Sequence, residues 1–441
     1  MSGGLALFGG DPAIPAGFAD KSLVGWPVVT EAEHAALRDV LERGLFTSND
    51  GGKGEVSALE REWADYVGVP YAAAISNGTA AIELVLAALD LEPGDEVLVP
   101  ALTFIATAAA PVARMLVPVF VDIDPVTFLL DPAAVEAAIT PRTRAIIAVH
   151  LHGLPCDLAE LRAIADRHGL FLVEDAAQAQ DALYRGERVG GFGHAATVSL
   201  NVTKNLPTCG EGGLVTTRDA ELHRKVVLHR QFGEDLRGGH SRDYLSRLLA
   251  GNEKMSAVQA AFTRCQLAVL PDHTAARDRN VRRLLDRLSA LPGSTWPTCP
   301  DDRTHAWYIL RARFDPAVLG YDGIAPTAWR DALRRVLRAE GVPAQPYQLV
   351  PLPGQPAFQQ LAGYAGYPWK LPGVPPPDYR SEDHPVTCAV LDDSLTLQRW
   401  HLNPAAAPVL DKVADAFEKV WGRLDEVAAI ARAKPRARSA R

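Results

Sequence analysis

Between residues 70 and 220 the chain alternates short, mostly apolar runs with longer segments of helical period. The runs Ala72 to Ile75, Glu96 to Val99, Val117 to Val121, Ala145 to Val149 and Leu170 to Glu174 read as strands. Between them, Ala80 to Leu89, Phe104 to Ala110, Pro132 to Ala138 and Leu158 to His168 read as helices. Strands that lack polar alternation are buried on both faces. The pattern therefore predicts an α/β protein with a mainly parallel sheet sandwiched by helices. Right-handed crossovers then bring the strand ends, and any ligand, to one edge of the sheet.

The flanks read differently. Residues 1–28 are rich in Gly and Pro and predict an extended N-terminal arm. Thr30 can cap a helix over Glu31 to Gly44, with Glu33 at the capping-box position. A loop at 45–56 precedes an amphipathic helix, Ser57 to Tyr66. Helices are expected over Ala220 to Arg230 and Ser256 to Leu270. Beyond them lies a smaller α+β domain with strand-like TWPT and WYILRARF, a helix from Ala328 to Glu340 and a proline-rich loop, YPWKLPGVPPPDY. A helix from Val409 to Val427, opened by Pro408, closes it. The expected division is an arm at 1–28, a large domain at 29–270, a small domain at 271–428 and a disordered basic tail at 429–441.

Composition narrows the functional classes. A chain of 441 residues exceeds one ordinary core. A hydrophobic content of 48% with 22% charged residues describes a globular protein. The net charge of −8 argues against a nucleic-acid partner, and the basic ending ARAKPRARSAR reads as a solubilising tail. The five cysteines are odd in number, scattered and without metal-ligand spacing, which predicts reduced thiols and a cytoplasmic protein. His150 and His152 lack further ligands at zinc-like spacing. The opening residues carry no signal-peptide pattern, and no apolar run is long enough to span a bilayer.

Four stretches carry chemistry. Asn77-Gly78-Thr79 stands at a strand-to-helix junction, where free amides and the helix dipole attract a phosphate. Thr103-Phe104 follows a strand and offers a ring that can stack on a flat cofactor. In Glu174-Asp175-Ala176-Ala177-Gln178, a carboxylate at a buried strand end suits a protonated pyridine nitrogen, and Gln178 suits a phenolic oxygen. Last, TVSLNVTKNLPTCGEGG sets Lys204 between two buried strands, ahead of Gly210, Gly212 and Gly213. A buried ammonium is costly unless the amine is used covalently, as in a Schiff base. Each stretch has an ordinary structural reading, as a cap, a core ring or a turn. Together they supply what pyridoxal 5′-phosphate requires.

Residues 5 to about 270 resemble the DegT/DnrJ/StrS family of sugar aminotransferases. The stretches that carry the resemblance are SNGTAAIELVLAAL, PALTFIATAAA, VDIDPVTFLLDP, AVHLHGLPCDL, VEDAAQAQDA, TKNLPTCGEGGLVTT and GNEKMSAVQAA. The resemblance implies a fold type I pyridoxal-phosphate transferase with a seven-stranded sheet. It implies that Lys204 forms the Schiff base, Asp175 pairs with the pyridine nitrogen, Gln178 faces the phenolic oxygen and Phe104 stacks on the ring. Gly78, Thr79 and Ser199 are then the phosphate ligands. The family forms homodimers in which an Asn of the neighbouring subunit also reaches the phosphate. Asn252, in Ala250-Gly251-Asn252-Glu253-Lys254-Met255, falls at that place, although the family's first Gly, the aromatic after the Asn and the Arg are replaced. LALFGGDPAIP and the EGG after the lysine resemble the glutamine-dependent cyclitol and aminosugar branch, which serves antibiotic biosynthesis. In RWHLNP, His401 either faces substrate or packs in the core. The implied function is transfer of an amino group from L-glutamine or L-glutamate to a keto-cyclitol or keto-sugar. Two readings stay open beside it: another pyridoxal-phosphate reaction, such as aldol cleavage, decarboxylation or oxidation, and a non-catalytic regulatory protein.

Overall fold

The computed structural model describes residues 4–48, 52–235 and 244–433. A seven-stranded sheet organises the first half: β1 (Tyr71–Ile75), β2 (Glu96–Pro100), β3 (Val117–Val121), β4 (Thr143–Val149), β5 (Phe171–Asp175), β6 (Ala195–Ser199) and β7 (Gly213–Thr217). The spatial order is β1-β7-β6-β5-β4-β2-β3. All neighbours pair in parallel except at β7, which is antiparallel to both β1 and β6. Every residue of β2, β6 and β7 is buried, as strands covered on both faces require.

The connecting helices are α1 (Glu31–Arg43), α2 (Glu55–Val67), α3 (Gly78–Ala88), α4 (Ala106–Ala113), α5 (Pro132–Ala137), α6 (Leu158–His168) and α7 (Ala220–Arg230). The Thr30–Glu33 capping box opens α1 as expected. Helix α3 packs against α4, α7 and the strands β6 and β7, while α6 packs against β4 and β5.

Three expectations about boundaries are corrected. Helix α8 runs unbroken over Ala257–Leu288, with Pro271 inside it, where the helix was expected to end at Leu270. A proline removes one helical hydrogen bond, but burial at both ends outweighs that loss. Leu267 and Leu270 enter the first core, and Val281, Leu284 and Leu288 enter a second. The residues read as an arm are folded onto that second core. Leu5 and Ile14 are buried in it, and the Glu340 carboxylate accepts from the Ala6 and Ala13 N–H groups at 2.7 and 2.9 Å. The closing helix is two helices, Ala407–Trp421 and Leu424–Arg432. The second carries helical structure into the first residues of the expected tail, and residues 434–441 lie outside those described.

The second core is built on a four-stranded antiparallel sheet of β8 (Ser294–Thr295), β9 (Leu310–Phe314), β10 (Ala344–Gln345) and β11 (Ser394–Leu397), in the order β8-β9-β11-β10. Helices α9 (Pro326–Ala339), α11 (Ala407–Trp421) and α12 (Leu424–Arg432) complete it, while α10 (Pro385–Asp393) buries Val390 and Leu391 in the first core. The proline-rich segment ahead of α10 returns to the large sheet. Leu352 N–H donates to Ala101 O at 2.9 Å, and the Tyr379 hydroxyl donates to Pro118 O at 2.7 Å. It thereby covers the β3 edge, which would otherwise present unpaired backbone groups.

Candidate active site

The carboxyl ends of β2, β5 and β6 and the start of α3 surround a cavity of about 600 Å³. Seven of the eight residues expected to form the site line it: Gly78, Thr79, Phe104, Asp175, Gln178, Ser199 and Lys204. Asn77 caps α3, its side-chain oxygen accepting from Ala80 N–H at 2.9 Å. The first N–H groups of the helix, those of Gly78 and Thr79, have no intrahelical acceptor. Gly78 is required by space. A Cβ there would stand 2.7 Å from Ser199 Cβ and 3.1 Å from Ser199 Cα. Gly213 serves the same junction, since a Cβ on it would stand 2.5 Å from Asn77 O.

Strand β5 ends in two carboxylates with opposite surroundings. Glu174 is wholly buried and accepts from Gly190, Phe192 and Gly193 N–H, each at 2.8 Å. His150 completes the set. Its Nδ1 accepts from Cys156 N–H at 3.1 Å, which leaves the proton on Nε2, 3.2 Å from Glu174 Oε2. Burial alone would raise the Glu174 carboxyl, but these hydrogen bonds outweigh it and hold it below its ordinary value. Asp175 faces the cavity and accepts from Thr107 Oγ1 at 3.0 Å and Ala177 N–H at 3.1 Å. Burial pushes its carboxyl up, against those two bonds and the charge of Lys204.

Lys204 stands on the turn after β6. Its N–H donates to Asn201 O at 2.8 Å, and its carbonyl accepts from Trp26 Nε1 at 2.8 Å. Its Nζ lies over the Tyr308 ring, 4.6 Å from the ring centre. Gln178 accepts from His152 N–H at 2.8 Å through its amide oxygen, so its NH2 is the donor available to a ligand. Phe104 is 54% exposed at the cavity wall, open for a flat group to lie against.

Asn252 does not line this cavity. It forms an isolated bridge with Gln231 beside the end of β1, and its side-chain oxygen accepts from Lys254 Nζ. His401 is a core residue. Its Nε2 stands 2.7 Å from Trp307 O, and burial pushes its pKa down to about 3. His150 and His152 are likewise buried among protein partners. Among the described residues, no group of three or more His, Cys, Asp and Glu side chains is arranged to hold a metal ion. No helix among the described residues is long and apolar enough to cross a membrane.

Three residues that the local motifs could not reveal come from the C-terminal part of the chain. Tyr308, Tyr347 and Arg399 line the cavity more than a hundred residues beyond Lys204 in the chain. The stretch RWHLNP drew attention to His401, whereas Arg399, two residues earlier, is the one that reaches the site. Thr103, Thr107, Asn201 and Thr203 line it from the local motifs.

Residues 27–370 match the DegT/DnrJ/EryC1/StrS aminotransferase family. The chain belongs to this family. Among its relatives is the dTDP-3-amino-3,4,6-trideoxy-α-D-glucose transaminase of Streptomyces venezuelae, 35% identical over 88% of this chain and 92% of the relative. Another is the L-glutamine:scyllo-inosose aminotransferase of Streptomyces griseus, 38% identical over 72% of this chain and 76% of the relative. The crystal structure of S. venezuelae DesV in complex with a ketimine intermediate superimposes with a TM-score of 0.73. It is 34% identical and covers 87% of this chain and 93% of its own. The protein is an aminotransferase of fold type I and depends on pyridoxal 5′-phosphate. The cavity of this aminotransferase fits that cofactor chemically. It presents a buried carboxylate short of donors, an amine, an open aromatic face and a helix N-terminus that sits against Ser199 because residue 78 lacks a Cβ.

Proposed function

We propose that this aminotransferase moves an amino group from L-glutamine or L-glutamate to a keto-cyclitol or keto-sugar in secondary-metabolite biosynthesis. The observation that carries the reading is the meeting of Lys204 and Asp175 on one cavity, with Gly78, Thr79 and Ser199 beside them. When bound, pyridoxal phosphate withdraws electrons from the donor's α-carbon and makes its proton acidic. Lys204 Nζ would take that proton and pass it on within the same half of the exchange, and would carry a proton the opposite way in the second half. Asp175 keeps a proton on the ring nitrogen. Gln178 donates its NH2 to the phenolic oxygen, Phe104 supports the ring, and Gly78, Thr79 and Ser199 bind the phosphate. Asn252, which does not line the cavity of its own chain, is assigned to the phosphate of a second copy in a cytoplasmic homodimer. The glutamine-dependent cyclitol relative and the sugar transaminase relative support this range of substrates.

The test is spectroscopic. Adding L-glutamine or L-glutamate without acceptor should replace the absorbance of the lysine-bound cofactor by that of its aminated form. A keto-cyclitol or nucleotide-linked keto-sugar should then restore it. A coloured protein indifferent to both donors would overturn the donor assignment.

A further inference from the structure

We propose that Arg399 binds the α-carboxylate of the amino donor, so that the site takes α-amino acids and discriminates against amines that lack the carboxylate. The proposal rests on the transaminase reading above and names the group that selects the donor. Arg399 lines the cofactor cavity and also an adjoining cavity of about 400 Å³ between the N-terminal segment and the small sheet. Lys204 and Arg399 are the only cations among the described residues that line the larger cavity. Binding the cofactor consumes the amine of Lys204, which leaves Arg399 as the fixed positive charge.

Its surroundings leave that charge unmatched. Arg399 Nη1 donates to the Tyr308 hydroxyl at 2.8 Å, and its Cζ lies 5.2 Å from the centre of the same ring. Among the described residues it pairs with no carboxylate. Some other partly buried arginines of this chain do: Arg303 with Asp157 and Asp302, Arg313 with Asp393, and Arg264 with Glu55 and Glu62. A guanidinium carries five N–H donors in a planar fork that matches a carboxylate, and a single neutral phenol leaves most of that capacity open. The Tyr308 phenol records the local charge. Burial would raise it, yet Lys204 and Arg399 outweigh burial and lower it.

The geometry then favours one end of the donor. Lys204 Nζ and the Arg399 guanidinium rest against one ring, 4.6 and 5.2 Å from its centre. In an α-amino acid the carboxylate is bonded directly to the carbon that loses its proton. A donor with that carbon beside Nζ therefore places its carboxylate in the cavity that Arg399 lines.

The experiment compares L-glutamine with its α-methyl ester, and L-glutamate with its α-methyl ester, in the donor half-reaction of the cofactor-loaded protein. The wild type should prefer the free acid by roughly 10- to 100-fold, the range for a hydrogen-bonded charge pair. Arg399→Gln should load cofactor normally and lose that preference, and Arg399→Lys should recover part of it. Equal use of acid and ester by the wild type overturns the proposal, and this arm needs no variant to fold. So does an Arg399→Gln protein that slows acid and ester alike, which is the mark of a structural role, or one that impairs only the return step with keto-acceptor. If the wild type reacts with neither donor but with another α-amino acid, the donor assignment above fails while the same acid-and-ester comparison still decides the role of Arg399.

Discussion

Replacing Gly78 by Ala tests whether the phosphate cradle is as tight as its geometry indicates. Gly78 does not occupy the left-handed region, so alanine is allowed by the backbone. Alanine is also the better helix former, by about 1 kcal/mol at an interior position and less at a helix end. Against that gain stands one collision, of the new methyl with Ser199 Cβ at 2.7 Å and Cα at 3.1 Å. Ser199 cannot retreat. It pairs with Gly213 in the sheet, and its carbonyl accepts from Gln180 Nε2 at 2.7 Å. The helix must move instead, taking the Gly78 and Thr79 N–H groups with it. Overpacking of this kind costs about 1–3 kcal/mol. The collision therefore wins by about one to two kcal/mol; the loaded form bears that loss, because a bound phosphate holds the Gly78 and Thr79 N–H groups in place while the empty site lets the helix shift, and it corresponds to roughly 5- to 30-fold weaker cofactor binding. The assay is a titration of cofactor-free protein with pyridoxal phosphate, read by absorbance. Ser199→Gly removes the nearest struck atom, so in that background the added methyl should cost little. The same loss in both backgrounds, or no loss in either, would refute the steric account.

Lys204→Ala should abolish turnover together with the absorbance of the lysine-bound cofactor; a variant that still transaminates would remove Lys204 from the mechanism. Glu174→Gln should destabilise the fold by about 3–5 kcal/mol in urea unfolding, because an amide cannot accept from three backbone N–H groups and an imidazole N–H at once. A loss under 1 kcal/mol would show that those bonds are dispensable. Glu174 is lowered on folding, so its contribution is present above the unfolded value and lost as pH falls through the lowered one. Acid unfolding of the Gln variant should accordingly be flatter over that range.

Most of the large domain was legible because its elements are set by local pattern. Val117–Val121 and Leu158–His168 fall at the bounds that apolar run and helical period indicate. The motifs that end β1, β5 and β6 each deliver a side chain to the same edge, as parallel topology dictates. What the sequence concealed depends on contacts between distant segments. Nothing local distinguishes a helix that ends at Pro271 from one held through it by two cores. Nor does any local pattern tell that Leu5 and Ile14 are buried, or that Tyr308 and Arg399 meet Lys204. His401 stood out in RWHLNP by residue type alone, and its fully buried ring shows that type is a weak guide when burial is unknown.

The pair at the end of β5 shows how neighbouring carboxylates acquire opposite tasks. Successive side chains of a strand point to opposite faces, so Glu174 and Asp175 meet different surroundings although both are buried. Glu174 receives three backbone donors and His150, enough to settle its charge without a ligand. Asp175 receives two neutral donors, too few to offset burial, and its carboxyl is raised. A carboxylate raised on folding contributes stability that is full below its unfolded value and lost as pH rises through the raised one. The cofactor-free protein therefore carries a cost at neutral pH that a protonated ring nitrogen, bound at Asp175, cancels. The melting temperature gained on loading cofactor should grow as pH rises from acid to neutral, and Asp175→Asn should reduce that growth while stabilising the cofactor-free form at neutral pH. A gain that is independent of pH in the wild type would mean that Asp175 is already paired without the cofactor, and that the shortage of donors around it is not what draws the ring nitrogen in.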